Sequence, residues 1–72
     1  MAEQVEQVRA ADVAIGSRIR TADGVELLVS RVEHNFLGRE AMLAFIEDTD
    51  QRWLKKPVMN DAEVEVLAVP SA

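Results

Sequence analysis

The sequence contains no cysteine, so it has neither a disulfide framework nor the thiolate ligands of a structural zinc site. No apolar run approaches the roughly 18 to 20 residues that a membrane-spanning helix requires. The first residues lack the basic and apolar regions of a signal peptide. We therefore expect a cytoplasmic protein that does not enter a membrane.

Glycine, proline and aromatic residues are scarce: the 72 residues include three glycines, two prolines, two phenylalanines and one tryptophan. No linker rich in glycine, serine or proline divides the chain, and a chain of this length makes one domain at most. We predict a flexible N-terminal segment at residues 1–7 and a single small β-barrel domain at residues 8–70.

Positive charge is limited as well, because 13 acidic residues outnumber eight basic ones and give a net charge of −5. Binding to a phosphate backbone requires a basic surface, since the affinity comes from neutralising phosphates and releasing counterions. The basic candidates for such a surface are Arg39, Arg52, Lys55 and Lys56. Acidic residues at positions 47, 48 and 50 offset three of them, so we expect no nucleic-acid partner unless the fold brings the four onto one face.

Short segments with strand-like apolar patterns, separated by turns, fill most of the chain. The predicted strands are 8–10, 17–21, 25–33, 41–47, 52–58 and 63–66. Asp23-Gly24 between two apolar segments is a strong hairpin signal. Pro57 has no N–H to donate, so its strand must lie at a sheet edge or be leaving the sheet there. A short helix over residues 3–11 is the alternative to the first strand.

The strand at 25–33 contains an irregularity that predicts a bend. Leu27 and Val29 share one face at a spacing of two, whereas Val32 follows Val29 by three residues. That slip predicts a β-bulge near Ser30-Arg31, which bends a strand so that it serves two parts of a curved sheet. The fold class we predict is all-β: a small five- to six-stranded antiparallel barrel with at most a short helix or 3₁₀ turn.

The order of these signals resembles SH3-like barrels of the translation-protein (KOW-like) kind, nearest to the N-terminal domains of the elongation factor P family. The resemblance covers roughly residues 10–68. It is carried by Gly16, Asp23-Gly24, the bulged strand ending at Glu33, and the closing strand Glu63-Val64-Glu65-Val66. It implies an SH3-like barrel and, as an alternative function, an RNA- or ribosome-associated role. In that family the loop between the second and third strands carries a modifiable basic residue, whereas residues 36–41 here contain no lysine.

No catalytic set can be assembled from the sequence. His34 is the only histidine, and Glu33 beside it would point to the other face of a strand. The chain has no glycine-rich phosphate loop and no HExxH motif. We expect no enzyme, no metal site and no cofactor.

The candidate interaction patch consists of Phe36, Leu37 and Trp53. A tryptophan serves either as the packing centre of a small core or as a rigid anchor at an interface. Phe36 and Leu37 either cap an open end of the barrel or contact a partner. The strand at 41–47 is apolar on both faces, so its outer face needs a cover from the N-terminal segment, the long loop or a second molecule. We therefore predict a non-catalytic protein-interaction module that binds a protein partner or itself.

Overall fold

The computed structural model describes residues 6–70 of the chain. These residues form seven short strands and two 3₁₀ turns, and no α-helix occurs in this range. The strands are β1 (Glu6–Arg9), β2 (Arg18–Arg20), β3 (Glu26–Leu28), β4 (Arg31–His34), β5 (Met42–Asp48), β6 (Trp53–Met59) and β7 (Glu63–Ala68). The 3₁₀ turns are Ala10–Asp12 and Phe36–Gly38. The all-β prediction is confirmed.

The strands form two antiparallel sheets. A four-stranded sheet has the order β1-β7-β2-β3, and a three-stranded sheet has the order β4-β5-β6. The predicted antiparallel pairing is confirmed. Across residues 6–70 the strand ladders do not close into the predicted barrel, and the two sheets form separate layers.

The first described residues form a strand rather than the alternative helix over residues 3–11. β1 pairs with β7, from Glu6 opposite Val66 to Arg9 opposite Glu63. Residues 6–9 are therefore strand, and Ala10–Asp12 follows as a 3₁₀ turn. Of the segment 1–7 that the sequence assigns to a flexible N-terminus, residues 6 and 7 belong to β1, and residues 1–5 lie outside the described range.

The bend predicted near Ser30-Arg31 connects the two sheets. β3 belongs to the four-stranded sheet and β4 to the three-stranded one, with Val29 and Ser30 between them. The Ser30 N–H donates to the Ile46 carbonyl oxygen at 2.8 Å, while Arg31 is the register partner of Ile46. Ser30 and Arg31 therefore both lie opposite Ile46, which is the two-against-one arrangement of a β-bulge. Because the bend divides one predicted strand into two, the strand count is seven rather than five or six.

Pro57 lies on an outer strand, as its missing N–H requires. The N–H of Asn60 donates to the Ala41 carbonyl at 2.8 Å, and the N–H of Thr49 donates to the Arg52 carbonyl at 3.0 Å. Every second residue from 52 to 60 therefore turns its backbone groups toward β5. Pro57 belongs to the alternate set, which faces the free edge, so the ladder loses no hydrogen bond there.

The core lies between the two sheets, where one face of each meets the other. Its buried members are Ala10, Ile19, Leu27, Val29, Leu43, Phe45 and Val64. Val66 is partly buried against them, so both valines of β7 point inward, as their alternation predicts. The same alternation directs Glu65 to the opposite side, toward water, where it is half-buried and contacts Arg20 at 3.1 Å.

Candidate interaction surface

The three residues of the predicted patch all lie on or beside the outer face of the three-stranded sheet. Trp53 begins β6 and is 57% exposed, so it is not part of the core. Leu37 is 75% exposed in the turn between β4 and β5, and Phe36 before it is half-buried. The structure thus assigns Trp53 and Leu37 to the surface and gives Phe36 partial contact with the sheet.

The turn that carries Leu37 has an unusual backbone. Leu37 has φ 56° and ψ 31°, and Gly38 after it has φ 73°. The Arg39 N–H closes this turn on the Phe36 carbonyl at 3.1 Å. Positive φ at both central residues is the type I′ pattern, in which asparagine and glycine dominate. Leucine is strained in this position, because its Cβ approaches the following carbonyl oxygen at a cost of roughly 1–2 kcal/mol.

Lys55 connects Phe36 to the strand that carries Trp53. Its Nζ lies 5.2 Å from the centre of the Phe36 ring and 2.9 Å from a carboxylate oxygen of Glu33. A cation over an aromatic face is attracted by the ring's negative potential. Trp53 lies two residues before Lys55 on the same face of β6, about 7 Å along the strand. Phe36, Lys55 and Trp53 therefore follow one another along this surface.

The outer face of β5 is already covered by the chain's own side chains. Ala44 is fully buried and Ile46 is 4% exposed, although both point away from the core. Ile46 lies between Arg31 and Lys55 in the cross-strand register, and the stems of such long side chains cover apolar surface while their charges reach water. Of the three covers that the sequence leaves open for this face, the long loop contributes through its turn at 36–38. The neighbouring strands β4 and β6 bury the rest, so a second molecule is not needed to bury Ala44 and Ile46.

Met59 is a further exposed apolar residue of this surface that the sequence reasoning missed. It is 46% exposed and ends β6. The predicted strand ended at residue 58, yet residues 53, 55, 57 and 59 share one face of β6 at a spacing of two. Extending the alternation from Trp53 through Pro57 would have found it.

The four basic candidates do not share one face. Lys55 and Lys56 follow one another in β6 and point to opposite faces of the sheet. Lys55 pairs with Glu33, Arg52 pairs with Glu47 at 3.1 Å, and Lys56 pairs with Asp23 at 2.5 Å. The hydrogen bond from Lys56 is the main cause that lowers the pKa of the Asp23 carboxyl. Arg39 is exposed in the loop after Gly38.

Glu47 holds the edge of one sheet against the other. Its side chain is only 8% exposed, and it accepts hydrogen bonds from the Leu28 N–H at 2.9 Å and from Arg52 Nη2 at 3.1 Å. Arg52 Nη2 also donates to the Glu26 carbonyl oxygen. The ion pair therefore satisfies the outward-facing N–H and C=O groups of β3 where no strand pairs with it. Arg52, followed by the Leu28 N–H, lowers the pKa of Glu47.

Within residues 6–70 no group of three His, Cys, Asp or Glu side chains is placed to hold a metal ion. No helix in the same range is long and apolar enough to cross a membrane. Two shallow depressions of about 270 and 230 Å³ adjoin the turn between β2 and β3, and neither is lined by Phe36, Leu37 or Trp53.

Comparison with known proteins adds no relative. No protein-family model, curated protein or solved structure matches the chain.

Proposed function

We propose that the protein is a non-catalytic interaction module that binds another protein through the Leu37 turn and the adjoining outer face of the three-stranded sheet. The observation that carries this proposal is the conformation of Leu37. A large apolar side chain is 75% exposed at a backbone position that favours asparagine or glycine.

The energetics of Leu37 support a role outside the fold. A left-handed leucine costs roughly 1–2 kcal/mol. Its exposed side chain buries too little apolar area to offset that cost. Strain of this kind typically occurs where a residue serves binding rather than stability. Trp53, the other exposed member of the patch, is of the residue type that contributes most to protein interfaces.

The arrangement of charge supports a protein partner over the RNA- or ribosome-associated alternative. Arg52, Lys55 and Lys56 each lie within 3.1 Å of a carboxylate, and Lys55 points to the opposite face of the sheet from Lys56. A phosphate backbone would have to compete with these carboxylates for each cation.

We also propose that the fold is related to the SH3-like barrels that the sequence resembles. This relationship is supported by the bent segment β3–β4, which serves both sheets, and by the closing strand β7 between β1 and β2. In this interpretation the protein is an open form of such a barrel, in which the Glu47–Arg52 pair takes the place of strand pairing at the edge of β3.

The test uses Leu37→Asn, which removes the apolar side chain and places the preferred Asn-Gly sequence in the type I′ turn. Immobilised wild-type protein and variant are compared for the proteins they retain from a cell lysate. Val69→Ser is the matched control, because Val69 is 69% exposed but lies after β7. We expect a protein that wild type and Val69→Ser retain and Leu37→Asn does not.

Two results would contradict the proposal. One is an identical set of retained proteins for all three baits. The other is retention of RNA at sub-micromolar affinity that disappears as the salt concentration rises, which would favour the RNA-associated alternative.

A further inference from the structure

The outer face of the three-stranded sheet carries its charges in cross-strand pairs. In the register of β4, β5 and β6, the charged residues on this face are Arg31, Glu33, Asp48 and Lys55. Arg31 contacts Asp48 at 2.9 Å, and Lys55 contacts Glu33 at 2.9 Å. Two positive and two negative side chains give the face no net charge, although the whole chain carries −5.

These four side chains remain accessible to another molecule. Their exposed fractions are 56% for Arg31, 49% for Asp48, 33% for Lys55 and 45% for Glu33. The apolar residues exposed beside them are Leu37, Trp53 and Met59. The surface therefore combines apolar anchors with charges of both signs in alternating positions.

We infer that this face binds the same face of a second copy of the chain; the inference rests on the proposed function and names its partner. A two-fold symmetric interface requires a self-complementary surface, in which each residue meets the partner of its counterpart. A two-fold axis near the Lys55–Glu33 pair sets each lysine beside the glutamate of the other copy. The neutral charge matters, because two copies of an acidic chain repel each other at any face that carries the net charge.

The contact is face to face rather than strand to strand. Pro57 removes one N–H from the free edge of β6, and prolines at such positions hinder the addition of another strand. Leu37 and Trp53 belong to the face and the turn beside it, so they contact the second copy directly in this arrangement.

Charge reversal tests the inference. Sedimentation equilibrium of wild type up to about 1 mM should show a mass between the 8.0 kDa monomer and twice that value. Lys55→Glu alone and Glu33→Lys alone should each raise the dissociation constant of self-association at least tenfold. In a dimer of either variant, residues 33 and 55 of the two copies would bring four side chains of like charge together at the axis. An equimolar mixture of the two variants should associate again. Lys56→Glu is the matched control, because it makes the same charge change on the opposite face and should leave the association unchanged.

The outcomes separate this inference from the proposed function. If the wild-type protein stays at 8.0 kDa, the inference that a second copy is the partner is wrong. The lysate experiment would still decide whether Leu37 binds another protein. Association that Lys56→Glu weakens as much as Lys55→Glu does also overturns it, because net charge rather than this face would then control it. Circular dichroism confirms that each variant is folded.

Discussion

Replacing Glu47 measures how strongly the two sheets are held together. Glu47→Ala removes the side-chain acceptor of the Leu28 N–H, which donates to Glu47 at 2.9 Å on the side of β3 that faces away from β2. An unsatisfied donor at a partly buried position costs about 1–3 kcal/mol, and the lost pairing with half-exposed Arg52 adds little. We expect the free energy of unfolding to fall by about 2 kcal/mol, from a total of roughly 3–5 kcal/mol for so small a domain.

Thermal unfolding followed by circular dichroism checks this value. A loss of about 2 kcal/mol corresponds to a decrease in Tm of roughly 8–16 °C for a chain of this size. Glu47→Gln is the control: its amide oxygen still accepts the Leu28 N–H, so it should lose about half as much. A Tm for Glu47→Ala within about 3 °C of wild type would refute the idea that this bridge joins the sheets.

The pH dependence of the same variants provides a second test. Arg52 and the Leu28 N–H lower the pKa of Glu47 in the folded protein. A carboxyl with a lowered folded pKa stabilises the protein fully above its unfolded value of about 4.3, and this stabilisation disappears as the pH falls through the folded pKa. Wild type should therefore lose stability relative to Glu47→Gln below about pH 4. A constant difference between the two down to acid pH would contradict this assignment.

Three further predictions concern the turns, the core and RNA. In urea unfolding, Gly16→Ala should lower the free energy of unfolding more than Gly24→Ala does. Both glycines have positive φ, but only at Gly16 would an added Cβ also lie 3.0 Å from the Pro70 side chain. Equal decreases for the two variants would contradict this, because Pro70 would then move aside at no cost. Val64→Asp should abolish the cooperative thermal transition, because it buries a carboxylate in the core. Val66→Asp, at a partly buried position, should lower the Tm but leave a cooperative transition. Mixed RNA at about 150 mM salt should bind with a dissociation constant no tighter than about 1 µM, and sub-micromolar binding would contradict this.

The parts of the fold that sequence reasoning located are those with local signals. The Asp23-Gly24 hairpin is confirmed by the Thr21 N–H, which donates to the Val25 carbonyl at 2.9 Å. The bulge at Ser30 and the edge position of Pro57 also follow from a few neighbouring residues. Closure of the sheets depends on pairings distant in sequence, such as β1 with β7, and no local pattern specifies whether the last edges meet.

The candidate site shows the same division. The sequence located an exposed apolar turn near Gly38, but it did not predict positive φ at Leu37, because leucine is not a residue that type I′ turns select. For the outer face of β5 it left three covers open, of which the long loop contributes through the turn at 36–38, and it did not anticipate the part of the neighbouring strands. The cover by Lys55 and Arg31 becomes visible only once the cross-strand register places Ile46 between them.

The free energy of unfolding of Leu37→Asn tests the central claim most directly, namely that Leu37 is held outside the core for contact with a partner. If the claim is correct, urea unfolding will show the variant to be as stable as wild type or more stable by up to about 1–2 kcal/mol, because the backbone strain is relieved and no packing is lost. A variant less stable than wild type by more than about 1 kcal/mol would contradict the claim, since Leu37 would then be packing against the fold.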